Sequence, residues 1–209
     1  MSRWHYFDNS ATFRQELEEL IDGDISKRLG AGPWFVKPSR AGSSVGVSKV
    51  EGVDQLETAI AAAFEHDDTV LVEEGVVGRE LEVAILGTPP NHKASRLGEI
   101  ITGDTFYDYD EKYSKASTAS TSVNVNDLSE QLQQKIKNQA LKIYGALGCE
   151  GLARVDFFLA DNEEVYFNEV NTMPGFTNIS MYPKLWQEDG LEYGALISAL
   201  ISDALLRTK

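Results

Sequence analysis

The stretch ARVDFFLADNEEVYFNEVNTMPG, at residues 153–175, decides the fold, because its composition predicts two strands joined by a tight polar turn. Alternate side chains of a strand share one face. Arg154 and Asp156 therefore share a face of the first strand, and Glu169 and Asn171 share a face of the second. A register set by a four-residue turn places Asp156 opposite Glu169 and Arg154 opposite Asn171.

This hairpin has the side chains of a metal site. Two carboxylates at opposite strand positions repel each other unless a hard cation lies between them. Asp156, Glu169 and Asn171 offer only oxygen ligands, which favours Mg²⁺ or Mn²⁺ over zinc, and Mg²⁺ commonly completes its coordination with substrate phosphate. A solvated polar face is the alternative. Phe158 and Phe167, expected on the same face, argue against it.

The composition excludes several protein classes. The 209 residues carry a net charge of -14, which argues against a nucleic-acid partner. Cys149 is the only cysteine, so a disulfide framework is excluded and a spectator thiol in a reducing compartment is expected. The first residues contain no signal-like apolar segment, and no apolar run approaches the ~20 residues that span a bilayer. We therefore expect a soluble cytoplasmic protein with no membrane partner.

The order of elements mixes hairpins with helices, which predicts an α+β fold with mainly antiparallel sheets. One helix is expected to begin at Asp54, where Glu57 completes a capping-box pattern. Asn126 or Asp127 is expected to open a long helix. Two lobes are expected, at residues 1–80 and 81–209.

Three loop segments have compositions that suit a nucleotide site. RAGSSVG follows a short strand containing Lys37, and its backbone N–H groups and hydroxyls could bind phosphates, although a plain hairpin turn is the alternative. LVEEGV is expected either to hydrogen-bond a purine and a ribose or to be a solvated strand end. FYDYDEKYS is too aromatic for an idle linker, so we expect it to fold over a site or to form an interaction surface.

These motifs, in this order, resemble the D-alanine–D-alanine ligase family of ATP-grasp enzymes. The segments that carry the resemblance are FVKPSRAGSSVGVSKV, LVEEGVVGRELEVAILG, FYDYDEKYS, GLARVDFFL and FNEVNTMPGFTNIS. The resemblance implies two α+β lobes that clasp the nucleotide, and it is compatible with a homodimer. It also implies that ATP phosphorylates the carboxylate of one D-alanine and that the amine of a second attacks the acyl phosphate, for peptidoglycan precursor synthesis.

The resemblance implies roles for residues around the reacting groups. Arg154 would stabilise the transferring phosphoryl group and the developing oxyanion, together with the backbone N–H of Gly175. Ser180 would hold the carboxylate of the second D-alanine. Two Mg²⁺ ions that bridge the nucleotide phosphates would be held by Asp156, Glu169 and Asn171, of which the hairpin register indicates the first two independently.

Further roles concern ATP, the co-substrate. Lys37 and Lys112 would neutralise its phosphates, and Ser43 and Tyr113 would tie the closing loops together. The adenosine pocket would be lined by Glu73, Glu74, Val76 and Glu80.

The sequence departs from the family at its start. Members carry a complete N-terminal domain before this region, which orients the first D-alanine and supplies a further ATP-binding lysine. This chain opens inside the ATP-grasp portion, so we expect either a truncated form or a domain supplied by another chain. Two alternatives stay open: a module that binds ATP and Mg²⁺ but is inactive without that domain, and another ATP-grasp carboxylate-amine ligase.

Overall fold

The computed structural model describes residues 4–8, 10–42, 44–101, 120–177 and 179–207. Within these residues the chain divides into two compact units, at 4–76 and at 77–101 with 120–207. Each unit holds one antiparallel sheet with helices packed on it, which confirms the predicted α+β class. Within the described ranges, every helix is too short or too polar to cross a bilayer.

The first unit is a four-stranded sheet packed against helices. Its elements are β1 (Trp4–Phe7), α1 (Phe13–Asp22), α2 (Ile25–Leu29), β2 (Trp34–Pro38), β3 (Ser48–Val50), α3 (Val53–Ala63) and β4 (Val70–Glu74). The strand order is β1-β4-β2-β3. Alternate strand residues such as Phe7, Val36 and Val72 are buried against Leu56 and Ile60 of α3, as the period of two requires for a sheet with one covered face.

The second unit is a five-stranded sheet with helices on both faces. Its elements are β5 (Arg79–Leu86), β6 (Lys93–Ile101), β7 (Ser120–Ser122), α4 (Glu130–Ala146), β8 (Leu152–Leu159), β9 (Val165–Asn171), α5 (Met181–Glu188) and α6 (Tyr193–Arg207). The strand order is β7-β6-β5-β8-β9. Helix α4 packs on the face that holds Val83 and Val155, whereas α5 and α6 pack around Ala84 on the other face.

Two helix starts differ from the sequence predictions. The residue before α3 is Gly52, which gives no side-chain cap, and Glu57 forms an ion pair with Arg14, so the predicted capping box is wrong. Helix α4 begins later than predicted, because the Ser129 hydroxyl accepts the Leu132 N–H at 3.2 Å and so caps the first turn.

The boundary between the units falls after Val76, whereas the sequence predicts it at residue 80. Arg79 and Glu80 already belong to β5, where they pair with Leu159 and Phe158 of β8. The difference arises because a strand that starts at Arg79 takes its hydrogen-bond partners from the second sheet.

Candidate functional site

Strands β8 and β9 form the predicted hairpin. Asp156 lies opposite Glu169 and Arg154 lies opposite Asn171, which confirms the predicted register at the candidate metal site. The alternate residues of β8, among them Val155 and Phe157, are buried in the core that α4 covers. The polar side chains of the hairpin therefore lie on the opposite face of the sheet.

The hairpin reaches this register by a different route. Val165 pairs with Leu159 rather than with Ala160, and Glu163 adopts the left-handed conformation at φ 61° in the turn. The register shifts by one residue before Glu169, where Asn168 is the extra residue of a β-bulge. The one-residue shift of register at the turn is therefore reversed by the one-residue shift at the bulge.

The bulge also changes which face Phe167 occupies. Phe167 lies opposite Phe157, and the two rings meet edge-on with centroids 6.2 Å apart in the core. The prediction that Phe167 shares a face with Glu169 and Asn171 is wrong, because the extra residue resets the alternation. Of Phe158 and Phe167, only Phe158 lies on the polar face predicted for both.

A row of carboxylates crosses three strands on the polar face. Glu82 of β5 pairs with Asp156 of β8, which pairs with Glu169 of β9. Glu82 and Asp156 are 3% and 1% exposed, whereas Glu169 is exposed. On the other side of Glu82 lies Gly98 of β6, where an added Cβ would be 2.6 Å from Met181 Sδ, so α5 packs closely there. Sequence reasoning missed Glu82.

Arg154 binds two members of this row. Its Nε and Nη2 donate to the two oxygens of Asp156 at 2.8 Å each, and Nε lies 3.0 Å from Glu82 Oε1. Burial by itself lowers the pKa of the guanidinium, but the hydrogen bonds and charge of Asp156, with the charges of Glu82 and Glu169, outweigh burial and raise the pKa above its ordinary value. Arg154 therefore stays charged and neutralises part of the row.

The donor set fits an oxygen-liganded cation. Among the described residues, no three His, Cys, Asp or Glu side chains converge as a metal site, and the predicted set has two carboxylates and one amide. Both Asp156 oxygens accept hydrogen bonds from Arg154, and Asn171 Oδ1 accepts the Met173 N–H at 3.1 Å. Each of these oxygens keeps a second lone pair, so Mg²⁺ or Mn²⁺ can share it. Asp156 would then divide its oxygens between Arg154 and a cation.

The loop after β9 brings Gly175 and Ser180 together. An added Cβ at Gly175 would lie 2.8 Å from Ser180 Oγ, so a larger residue would displace this hydroxyl. Ser180 Oγ accepts the Thr177 N–H at 3.1 Å and lies 2.9 Å from Thr177 Oγ1. Thr177, which the sequence analysis did not single out, therefore orients the Ser180 hydroxyl.

In the first unit, Lys37 and Glu73 form an ion pair, with Nζ and Oε2 2.7 Å apart. They stand on neighbouring strands, β2 and β4, on the face away from the helices. Glu74 lies against Gly30, whose φ of +75° and lack of a Cβ leave room for the carboxylate. Val76 is half-buried just beyond β4. Four of the residues predicted to bind ATP thus lie in the first unit, where Lys37 and Glu73 are in contact, whereas Glu80 belongs to the second unit.

The loop RAGSSVG is anchored at its first residue. The backbone N–H of Arg40 donates to Asp67 Oδ2 at 2.7 Å, and the guanidinium binds the same carboxylate. The hydrogen bond from the Arg40 side chain is the main cause that lowers the pKa of Asp67 to about 2. The other predicted residues of the closing loops, Ser43, Lys112 and Tyr113, lie outside the described residues.

Comparisons with known proteins agree with the sequence motifs. A family model described as the D-ala D-ala ligase C-terminus matches residues 3–202. D-alanine–D-alanine ligase A of Salmonella typhimurium is 52% identical over 184 residues, covering 88% of this chain and 50% of that protein. D-alanine–D-alanine ligase A of Escherichia coli K12 is 50% identical over 194 residues, covering 93% and 52%. The chain spans about half the length of the curated relatives it matches.

Solved structures resemble the whole described fold. The VanG D-Ala:D-Ser ligase from Enterococcus faecalis superposes with a TM-score of 0.82 at 35% identity, covering 97% of this chain and 56% of that one. The D-alanine-D-alanine ligase from Coxiella burnetii gives a TM-score of 0.80 at 35% identity, covering 99% and 52%. These neighbours confirm the predicted ATP-grasp fold.

Proposed function

Since this chain belongs to the D-alanine–D-alanine ligase family, we propose that it provides the ATP-dependent ligation of two D-alanines to D-alanyl-D-alanine for peptidoglycan precursor synthesis. The observation that carries the proposal is the placement of Asp156 opposite Glu169 with Arg154 bound beside them. Phosphoryl transfer depends on positioning and charge neutralisation more than on covalent chemistry. A fixed arginine within a row of cation-binding carboxylates meets both requirements.

Asp156, Glu169 and Asn171 would hold two Mg²⁺ ions, or Mn²⁺ in their place. Cations bound there would neutralise charge on the nucleotide phosphates. The register of the hairpin places these three side chains on one face of the sheet. Asp156, which is buried, would keep its hydrogen bonds to Arg154.

Arg154 would bind the phosphoryl group. Among the described residues, no hydrogen bond leaves Nη1, because the carboxylates use Nε and Nη2. Nη1 would donate to the phosphoryl oxygens while the carboxylate of the first D-alanine attacks the γ-phosphorus and ADP leaves. When the amine of the second D-alanine attacks the acyl carbon and phosphate leaves, the Gly175 N–H would bind the oxyanion and Ser180 the carboxylate of the attacking D-alanine.

The first unit would contribute to ATP binding. Lys37 would exchange its ion pair with Glu73 for one with a nucleotide phosphate, and Lys112 would do the same from the closing loop, where Ser43 and Tyr113 would interact. The pocket for the adenosine would be lined by Glu73, Glu74, Val76 and Glu80. A cytoplasmic location, where ATP is available, and a homodimer are parts of the same proposal.

Product formation tests the proposal directly. Purified chain is incubated with ATP, Mg²⁺ and D-alanine, and D-alanyl-D-alanine is detected by mass spectrometry while released phosphate is measured. Glu169→Gln removes one carboxylate of the cation site without creating a cavity, so turnover should fall to background. Glu163→Gln makes the same charge change in the exposed turn of the same hairpin and should retain wild-type turnover. Wild-type turnover in Glu169→Gln would contradict the proposal.

A second candidate function follows from the coverage of the relatives, of which the chain spans about half. The chain would then bind ATP and Mg²⁺ without forming product by itself, and the first D-alanine site would come from a further domain. Restoration of product by a supplied N-terminal domain of a relative would distinguish this case. Because one structural neighbour is a D-Ala:D-Ser ligase, D-serine belongs in the same assay as an alternative second substrate.

A further inference from the structure

We propose that Glu82 is a positioning residue that keeps the Arg154 guanidinium in place while Asp156 is shared with a cation, an inference that rests on the proposed function. Glu82 lies on β5, directly opposite Asp156 of β8, and is 3% exposed. Its Oε1 is 3.0 Å from Arg154 Nε, the same atom that donates to Asp156 Oδ1 at 2.8 Å. The Nε–H hydrogen bond therefore goes to Asp156, and Glu82 forms an ion pair with the same nitrogen.

The strand order separates the two partners of Asp156. Strand β8 lies between β5 and β9, so Glu82 and Glu169 flank Asp156 from opposite sides. Asp156 and Glu169 would hold the cation. Glu82 contacts the Arg154 guanidinium from the β5 side.

A cation and Arg154 would compete for Asp156. Both oxygens of this carboxylate already accept hydrogen bonds from the guanidinium, and two positive groups near one carboxylate repel each other. With Asp156 as its sole anchor, Arg154 would weaken its hold as soon as a cation bound. Glu82 supplies a second buried anchor, so the guanidinium would keep its orientation when Asp156 is shared.

The burial of Glu82 carries a free-energy cost, which its ion pair with Arg154 must offset. A carboxylate that is removed from water loses hydration, and an ion pair offsets that loss only when its geometry is good. Glu82 could be a structural ion-pair partner, in which case its loss would change stability alone. A positioning role predicts that the loss of Glu82 also lets Arg154 move more freely and slows the phosphoryl transfer step.

The test follows the Arg154 Nε–H directly by ¹⁵N NMR on the chain, with the resonance assigned from its loss in Arg154→Lys. In Glu82→Gln, we expect solvent exchange of this proton to rise about tenfold in the presence of Mg²⁺ and a non-hydrolysable ATP analogue, since loss of a supporting residue commonly costs 10–100-fold. The kcat for phosphate release should fall about tenfold with little change in KM for ATP.

Glu99→Gln is the matched control, because it removes a carboxylate from the Arg79–Glu99 ion pair of the same sheet, at 2.7 Å. Exchange at Arg154 should be at wild-type rates in this control. If Glu82→Gln does not fold, Glu82→Asp is used instead. It keeps the charge but moves the carboxylate away from Arg154, and solvent exchange of the Arg154 Nε–H should again rise. Exchange in either Glu82 variant that matches the control would overturn the inference. Absence of turnover in the wild-type chain would instead count against the proposed function, because the exchange measurement needs no catalysis.

Discussion

Asp156 and Glu169 face each other across one hairpin, yet their surroundings differ. Asp156 is buried and accepts two hydrogen bonds from Arg154, whereas Glu169 is exposed at the edge of the sheet. The row therefore has a closed side, where the arginine lies, and an open side, where a hydrated cation can arrive. At the scale of single residues, Asp156 therefore holds the arginine, and Glu169 is the carboxylate that a cation from solvent can reach.

Asp67 permits a prediction about pH at the same scale. Arg40 holds the pKa of Asp67 at about 2 in the folded chain, below its ordinary value of 3.8. The interaction therefore stabilises the fold fully above pH 3.8, and the stabilisation is lost as the pH falls from 3.8 towards 2. At pH 6 the wild-type Tm should be higher than that of Asp67→Asn, because only the wild type has the ion pair with Arg40. The difference should be only about 2–4 °C, because the Arg40 side chain is exposed and solvent screens the interaction.

This difference is measured by thermal denaturation of both chains in steps from pH 6 to pH 2.5. The gap between the two Tm values should close at the acid end. A gap that is constant over the whole range would show that Asp67 acts through packing rather than through its charge. Glu65→Gln, an exposed neighbour in the same connection, serves as the charge-matched control.

At the scale of elements, the hairpin was predictable and its bulge was not. An assumed four-residue turn gave the pairing of Asp156 with Glu169, which holds because the bulge offsets the different turn, and no local pattern marks Asn168 as an extra residue. Glu82 was missed for a related reason, since β5 and β8 are far apart in the chain and become neighbours only through the sheet order. Ser129 was missed because several polar residues precede α4, and only the geometry selects the cap.

Deletion of Asn168 tests the role of the bulge. Without this residue, the pair Phe157 and Phe167 would be followed directly by Asp156 and Glu169, so both faces of the hairpin should keep their side chains. We expect the deletion variant to fold and to retain Mn²⁺ binding within about threefold, measured by the electron paramagnetic resonance of free Mn²⁺.

Deletion of Val170 is the comparison for the same element. It would move Asn171 to the buried position beside Val155, so the hairpin should lose both stability and Mn²⁺ binding. If the two deletions behave alike, the bulge does more than correct the register that the turn imposes.

At the scale of the whole molecule, charge poses a problem for an ATP-binding protein. The net charge is -14, and Lys37 and Arg154 are both paired with carboxylates. An anionic nucleotide approaching without a cation therefore meets an excess of negative charge. Binding of the nucleotide as its Mg²⁺ complex removes this repulsion and uses the carboxylates as ligands.

The most direct measurement of the central claim is a calorimetric titration of the chain with a non-hydrolysable ATP analogue, in the presence and absence of Mg²⁺. We predict binding that requires Mg²⁺ in the wild-type chain, that is weakened at least about tenfold in Glu169→Gln, and that is unchanged in Glu163→Gln. Binding that is equally strong without Mg²⁺, or that is unaffected by Glu169→Gln, would contradict the assignment of the β8–β9 hairpin as the cation site.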